Sequence, residues 1–214
     1  MKKMQSFYNP PLILKKLFGS FVWETSCGKI LLTFDDGPIP ETTPVILKQL
    51  RAKKIKALFF AVGDNLKKYP SLCNQILGEG HVIGNHTYHH KRITKISYDE
   101  AIKEIRSFNE LLYEKHNYRV KYFRPPHGIF NLRTPSLLRQ SGLKNVMWSL
   151  LTYDYKNDMS IVKFAVQKFL KQNSIIVLHD SLKTKDIIVD AIDLAVSEAD
   201  KKGFKFGEPV ECLK

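Results

Sequence analysis

The stretch Thr33-Phe34-Asp35-Asp36-Gly37-Pro38 joins the end of an apolar run to the start of a turn. The run before it, Ile30-Leu31-Leu32, predicts a short buried strand. Two adjacent carboxylates at the end of such a strand lose hydration, and a divalent cation is one candidate for neutralising them. The alternative is a plain turn, which Asp35 and Asp36 begin and for which Gly37 and Pro38 supply the geometry.

The rest of the chain alternates unbroken apolar segments with helical patterns. Further strands are predicted near residues 56–62, 81–83, 118–123, 145–150, 174–178 and 204–206, and a short helix over residues 12–22. Strands without polar interruption are buried on both faces, which is typical of a parallel sheet covered by helices. About seven such units predict a single-domain α/β protein with a distorted (β/α)7-type barrel. The barrel takes residues 29–214, and residues 1–28 form an N-terminal extension that packs on it.

Composition narrows the class of protein. The 214 residues are 43% hydrophobic and 26% charged, which is enough apolar material for one substantial core. Lys and Arg outnumber Asp and Glu by 34 to 21, but they are scattered and form no nucleic-acid motif. A solvated basic surface is therefore favoured over nucleic-acid binding.

Cysteine usage and the N-terminus bear on the compartment. Cys27, Cys73 and Cys212 are odd in number and far apart, which argues against a disulfide framework and against a cysteine zinc site. No secretory signal or transmembrane segment is visible in the sequence. The expected location is the cytoplasm, with association with the cell envelope as the alternative.

Residues capable of chemistry fall at the carboxyl ends of the predicted strands. They are Asp35 and Asp36 after the first strand, His86 and His90 after the third, Arg124 at the fourth, Asp154 past the fifth, and His179 and Asp180 at the sixth. In parallel β/α folds this edge of the sheet and the loops that follow it carry function. The positions therefore predict one shared site.

The segment from Asn85 to His90 holds three of the seven histidines. His86 and His90 are four residues apart, so one helical turn or a tight loop points both imidazoles the same way. A metalloprotease has Glu after the first His, whereas Thr87 stands here, which disfavours that chemistry. One carboxylate and two imidazoles leave room for water and substrate, as in catalytic zinc sites. The alternative is a set of solvated or hydrogen-bonded histidines.

Two further groups have both a structural and a functional interpretation. Arg124 begins the sequence Arg-Pro-Pro-His-Gly, which is either a turn with a surface arginine or a cation holding a carboxylate beside a loop of N–H groups. His179 is either a hydrogen-bonded histidine at a strand end or a general acid. Asp154 would pair with it in the second case and raise its pKa.

Four motifs of this chain, taken in order, resemble those of the polysaccharide deacetylase family. They are TFDDGP at 33–38, His86-Thr-x-x-His90, Arg124-Pro-Pro-x-Gly128 and Leu178-His179. This family is also called carbohydrate esterase family 4, or the NodB homology domain. The resemblance covers residues 29–206. It implies a distorted β/α barrel, a single divalent metal, usually zinc, and removal of N- or O-acetyl groups from chitin-like chains, peptidoglycan or xylan.

The resemblance also implies roles for individual residues. Asp35 would be the general base, and the metal ligands would be Asp36, His86 and His90. Arg124 would orient and tune Asp35, while His179 would be the general acid with Asp154 as its support. The substrate and the oxyanion would be held by Pro126, His127, Tyr155 and Leu178, with the backbone N–H of His127 as the oxyanion donor and Leu178 at the acetyl pocket.

Three positions depart from the family pattern. His127 stands where Tyr is more frequent. A further family motif, between Arg124-Pro-Pro-x-Gly128 and Leu178-His179, is matched only weakly: Leu151 stands where an Asp often begins it, and Tyr155 where Trp is common. These departures concern the wall of the pocket and the support of His179, and with them the acyl specificity.

The implied function is a metal-dependent hydrolase that removes N-acetyl groups from an N-acetylglucosamine-containing polysaccharide or oligosaccharide. The expected cofactor is one Zn²⁺ ion, with Co²⁺, Mn²⁺ and Ni²⁺ as alternatives, and the expected partner is an acetylated amino-sugar glycan. An acetyl-ester or other C–N hydrolase on the same site is the second hypothesis. A non-catalytic sugar-binding relative is disfavoured, because Asp35, Asp36, His86, His90 and His179 are all present.

Overall fold

Seven short parallel strands form one curled sheet in the computed structural model, which describes residues 8–214. They are β1 (Leu31–Asp35), β2 (Leu58–Ala61), β3 (Val82–Asn85), β4 (Tyr122–Phe123), β5 (Lys144–Asn145), β6 (Leu150–Leu151) and β7 (Ile175–His179). The strand order is β5-β4-β3-β2-β1-β7-β6, so the two edge strands are consecutive in the chain. Only residues 146–149 join them, and the sheet therefore curls into a half-barrel, which confirms the predicted fold class.

Nine helices accompany the sheet within the described residues. They are α1 (Leu12–Leu17), α2 (Thr43–Ala52), α3 (Gly63–Lys68), α4 (Pro70–Gly78), α5 (Tyr98–His116), α6 (Thr134–Ser141), α7 (Met159–Phe169), α8 (Ile188–Lys201) and α9 (Pro209–Cys212). The longest, α5, begins with a capping box: Ser97 Oγ accepts from the backbone N–H of Glu100, and the Glu100 carboxylate accepts from that of Ser97. None of these helices has the length and apolarity that a membrane span requires.

Successive side chains of β1 and β7 point alternately toward the surrounding helices and toward the inside of the curled sheet. Phe34 of β1 and Leu178 of β7 face the surrounding helices and belong to the largest apolar cluster. Thr33, Asp35 and Val177 lie on the opposite face, inside the curled sheet. Because both faces of these strands are buried, their sequences are apolar almost without interruption, and the few polar residues on the inner face stand out.

The strand predicted over residues 145–150 is wrong, because the chain leaves the sheet between β5 and β6. Arg124 explains the interruption: its Nε donates to the carbonyl of Val146 at 2.9 Å and its Nη2 to that of Met147 at 2.7 Å. These carbonyls are thereby turned toward a side chain rather than toward a neighbouring strand. The same contacts place Arg124 where the sheet would otherwise close.

Three other predicted elements are shorter than expected. The strand near residues 118–123 is reduced to Tyr122–Phe123. The strand near residues 204–206 is reduced to a single bridge between Ile30 and Phe206. The helix predicted over residues 12–22 ends at Leu17, and Val22 instead forms a parallel bridge with Val146. The described part of the predicted N-terminal extension, residues 8–28, thus meets the open side of the sheet, while its residues 1–7 lie outside the described part of the chain.

Candidate active site

A cavity of about 690 Å³ opens at the carboxyl ends of the strands. The predicted site residues that line it are Asp35, Asp36, His86, His90, His127, Tyr155 and His179. These residues come from five separate motifs, and each lies at the end of β1, β3, β4, β6 or β7 or in the loop that follows it. The structure therefore brings together most of the residues that the sequence placed at one edge of the sheet.

Asp36, His86 and His90 form a compact cluster with one ligand atom each, all within 4.8 Å of one another. The Nε2 atoms of His86 and His90 lie 3.6 and 3.2 Å from Oδ1 of Asp36. Burial works to raise the pKa of the Asp36 carboxyl, but the adjacent imidazoles of His86 and His90 hold that pKa well below its usual range. The cluster thus gathers an ionised carboxylate and two imidazoles at one point.

The protonation of the two histidines suits a cation. His86 Nδ1 lies 2.7 Å from the carbonyl oxygen of Arg124. A carbonyl only accepts, so Nδ1 carries a proton. In the neutral imidazole this leaves the lone pair on Nε2, the atom that faces Asp36 and that a cation would bind. His90 Nε2 is buried and has no hydrogen bond of acceptable geometry. A buried nitrogen without a partner is costly, and a divalent metal bound by these three residues would satisfy it.

Backbone strain is concentrated around this cluster. Four non-glycine residues there have a positive φ: Asp36 (79°), Thr87 (67°), His90 (55°) and His127 (60°). Such conformations cost energy and persist only where the surroundings fix them. Their grouping indicates that the loops are held in one arrangement for a functional reason.

The loop that carries His86 and His90 is tied to helix α5. Glu104 of α5 is buried, and its carboxylate accepts hydrogen bonds from the backbone N–H and the Nδ1 of His89, both at 2.8 Å. Asn85 Oδ1 accepts from the N–H of Thr87 at 2.7 Å. These contacts fix the segment between the two histidines without using either imidazole.

Arg124 is fully buried and holds Asp35. Its Nη1 donates to Oδ1 of Asp35 and to Oγ1 of Thr33, both at 2.7 Å, and its guanidinium lies 4.2 Å from the ring centre of Phe60. Burial lowers the pKa of Arg124, while the charge of Asp35 opposes that change. With the two carbonyl contacts described above, the guanidinium is well satisfied, and Asp35 has one oxygen fixed and the other available to the cavity.

His179 and Asp154 form the second buried pair. His179 Nδ1 lies 2.7 Å from Oδ1 of Asp154, and Oδ2 of Asp154 accepts from the backbone N–H of His179 at 2.6 Å. Burial works to lower the pKa of His179, but the Asp154 charge and hydrogen bond outweigh it and raise that pKa to about 9. His179 therefore carries a proton at neutral pH, with Nδ1 engaged and Nε2 left for the cavity.

The Arg-Pro-Pro-His-Gly segment forms a tight 3-10 turn under the cavity, at Pro126–Gly128. Gly128 has φ of 65°, and a Cβ built there would lie 2.1 Å from the indole of Trp148. Only glycine allows the ring of Trp148 to lie against this turn. Pro126 is buried and is not among the residues that line the cavity, whereas His127 is, with its ring 4.7 Å from that of His90.

The proposed place of Leu178 at the acetyl pocket is not supported by the side-chain direction. Leu178 is fully buried among the helices, on the outer face of β7. Val177 and His179 line the cavity instead, because every second side chain of a β-strand points to the same face. Since His179 was predicted to face the site, the same alternation could have predicted that Val177, two residues earlier on the strand, faces it too. Tyr155 lines the cavity as predicted, with its ring 4.9 Å from that of His179.

An apolar wall of the cavity was missed at the sequence level. It consists of Pro10, Pro11, Leu14, Phe18 and Trp23 from the N-terminal segment, and of Ile129, Phe130, Met147 and Trp148 from the barrel. The ring of Phe130 lies 4.7 Å from Phe18 and 5.2 Å from Phe21. Sequence patterns give no indication of such a wall, since its two halves lie more than a hundred residues apart.

Fold and site together define a class: a parallel β/α barrel with a candidate Asp-His-His metal site at the carboxyl ends of its strands. Comparison with known proteins gives the family. Residues 23–146 match the family model described as polysaccharide deacetylase. The chain therefore belongs to the polysaccharide deacetylase family, as its motifs predicted.

Individual relatives agree with this assignment. The chain is 34% identical over 202 residues to a peptidoglycan-N-acetylglucosamine deacetylase of Bacillus cereus, covering 92% of this chain and 94% of the relative. It is also 34% identical over 184 residues to a second protein of that name from Bacillus cereus, covering 84% of this chain and 66% of that one. A solved peptidoglycan N-acetylglucosamine deacetylase superposes with a TM-score of 0.84 at 31% identity, covering 92% of this chain and 94% of the other.

Proposed function

We propose that this protein hydrolyses the N-acetyl groups of N-acetylglucosamine residues in a peptidoglycan- or chitin-like glycan. The observation that carries the proposal is that one cavity is lined by the Asp36-His86-His90 cluster, by Asp35, which Arg124 holds from behind, and by His179, which Asp154 holds. The names of the relatives support N-acetylglucosamine in peptidoglycan as the substrate class. Zn²⁺ is the proposed metal, since one carboxylate and two imidazoles suit it.

When bound, the divalent ion supplies Lewis acidity and makes a water molecule more acidic. Asp35 then serves as general base: its free oxygen takes the proton of the attacking water, while Arg124 holds the other oxygen in place. The backbone N–H of His127 donates to the oxygen that gains charge as the acetyl carbonyl is attacked. Val177, Leu151 and Tyr155 line the cavity and would surround the methyl group of the acetyl.

His179 completes the reaction by giving its proton to the departing amine nitrogen. Expulsion of an amine without protonation is unfavourable, because an amide anion is a poor leaving group. The pair with Asp154 keeps His179 protonated at neutral pH and fixes the direction of its ring. The products are acetate and a free amino sugar, and His179 regains its proton from solvent before the next turnover.

Acetate release from peptidoglycan, chitin oligomers and O-acetylated xylan tests the substrate class. The proposal predicts acetate from the N-acetylated glycans in the presence of a divalent metal, and none after chelation. The second hypothesis is an ester hydrolase. The leaving group of an ester is an alcohol, which departs with less help from a proton donor than the amine of an amide needs. His179→Ala would then spare most of the acetate release from xylan, whereas release from chitin oligomers should be lost in this variant.

A further inference from the structure

Cys27 and Cys212 meet in the structure although they are 185 residues apart in the chain. Their Sγ atoms lie 2.8 Å apart, and both cysteines are free. A disulfide bond is about 2.05 Å long, so the two sulfurs are already close to bonding distance. The third cysteine, Cys73, is buried in the main apolar cluster and takes no part in this contact.

The surrounding structure holds the two residues together. The backbone N–H of Ser26 donates to the carbonyl of Cys212 at 3.0 Å, and Lys29 Nζ lies 2.7 Å from Oε1 of Glu211. A Cβ built on Gly207 would be 2.4 Å from the sulfur of Cys212, so the glycine leaves the space that this sulfur occupies. The neighbours on both sides of the pair are thus connected independently of the thiols.

From this juxtaposition we propose that Cys27 and Cys212 form an intramolecular disulfide when a small-molecule disulfide, such as oxidised glutathione, is the oxidant. Cys27 is partly exposed and reacts first: its thiolate attacks the reagent, forms a mixed disulfide and releases one thiol. Cys212 then attacks the Cys27 sulfur and releases the second thiol. The protein loses two protons and two electrons, and the reagent is reduced to two thiols.

Burial explains the order of these two steps. Burial raises the pKa of the Cys212 thiol, and the neighbouring Cys27 raises it further, while Lys29 acts in the opposite direction. Cys212 is therefore a poor first nucleophile, and the more accessible Cys27 is the point of entry. The sulfur of Cys212 lies 2.8 Å from that of Cys27. Once Cys27 carries the mixed disulfide, this high local concentration of Cys212 favours formation of the intramolecular disulfide over reaction with a second reagent molecule.

The bond would join the segment before β1 to helix α9 and close a loop of 185 residues. A cross-link of this kind restricts the unfolded chain, and longer loops give larger effects. We expect the oxidised protein to melt roughly 5–15 °C above the reduced one. Neither cysteine lines the active-site cavity, so the rate of acetate release should be equal in the two forms.

The experiment uses the full chain, a Cys27→Ser variant and a Cys73→Ala variant that retains the pair. Each is incubated with oxidised glutathione, after which free thiols are counted in denaturant and tryptic peptides are analysed by mass spectrometry. The unaltered protein should keep one free thiol and Cys73→Ala none, with the peptides 17–29 and 206–214 joined in both. Cys27→Ser should give no joined peptides and no rise in melting temperature.

Several outcomes would overturn the proposal. One is stable glutathione on Cys27 with Cys212 still reduced, and another is a cross-link between two chains on a non-reducing gel. A melting temperature that does not change on oxidation would also contradict it. Should Cys27→Ser fail to fold, Cys73→Ala still decides the matter, because its only two thiols are those of the proposed pair.

Discussion

Replacing Asp154 with asparagine removes the charge that keeps His179 protonated. In the intact site, burial disfavours the charged imidazole, and the Asp154 carboxylate at 2.7 Å overcomes that effect and raises the pKa of His179 to about 9. Without that carboxylate, burial is opposed by the smaller effects of the Asp36 and Asp35 charges. The pKa of His179 should then fall to about its ordinary value of 6.5.

The size of the effect follows from the fraction of protonated His179. At pH 8, a group with a pKa of about 9 is about nine-tenths protonated, and one with a pKa of 6.5 is about 3% protonated. A general acid must be protonated, so turnover of Asp154→Asn should fall by about thirtyfold between its low-pH maximum and pH 8. A cation at Asp36 lowers the pKa of His179 in both proteins, so the difference between the two profiles is the quantity to measure.

The assay is acetate release from a chitin oligomer as a function of pH, with metal content measured on the same samples. Tyr155→Phe is the matched control: it removes a hydroxyl from the ring that lies beside His179 but leaves Asp154 in place. In Tyr155→Phe, the fall in acetate release at high pH should occur at the same pH as in the unaltered protein. If the fall in Asp154→Asn also occurs at that pH while the metal is retained, His179 is not the group that donates the proton.

Three other substitutions test other parts of the site. His86→Ala should lose bound metal and acetate release together, as elemental analysis and the acetate assay will show, because it removes one of three ligands. Arg124→Met leaves the buried Asp35 carboxylate without its partner and should destabilise the fold by about 3–5 kcal/mol, measured by urea unfolding. Gly128→Ala should cost about 1–3 kcal/mol and reduce turnover, because the new methyl group displaces Trp148 from the turn under the cavity; an unchanged unfolding midpoint would contradict this packing.

The strands of four or five residues that are buried on both faces were the part of the fold that the sequence predicted best. β1, β2 and β7 are buried on both faces, and their apolar runs are unbroken for that reason. β4, β5 and β6 have two residues each and leave no periodic pattern. The break between β5 and β6 depends on Arg124, which is more than twenty residues earlier, so no local property of residues 146–149 predicts it.

Which residues line the cavity was predicted where chemistry demands a residue type and was missed where only shape matters. Carboxylates and imidazoles at strand ends are expensive to bury, so Asp36 or His179 could be recognised from position alone. The choice between Leu178 and Val177 depends instead on which face of β7 turns inward. Likewise, the contact between Cys27 and Cys212 arises from the closure of the whole barrel and has no signature in the spacing of the cysteines.

The roles of the two adjacent aspartates are the central claim, and one comparison tests it. Asp35→Asn should retain the metal and the fold while its acetate release falls by roughly a hundredfold or more, the usual effect of deleting a general base. Asp36→Ala should lose metal and acetate release at once, because Asp36 supplies the carboxylate of the cluster. Metal content and turnover measured side by side give the answer. Near-normal turnover in Asp35→Asn, or full metal occupancy in Asp36→Ala, would contradict the account.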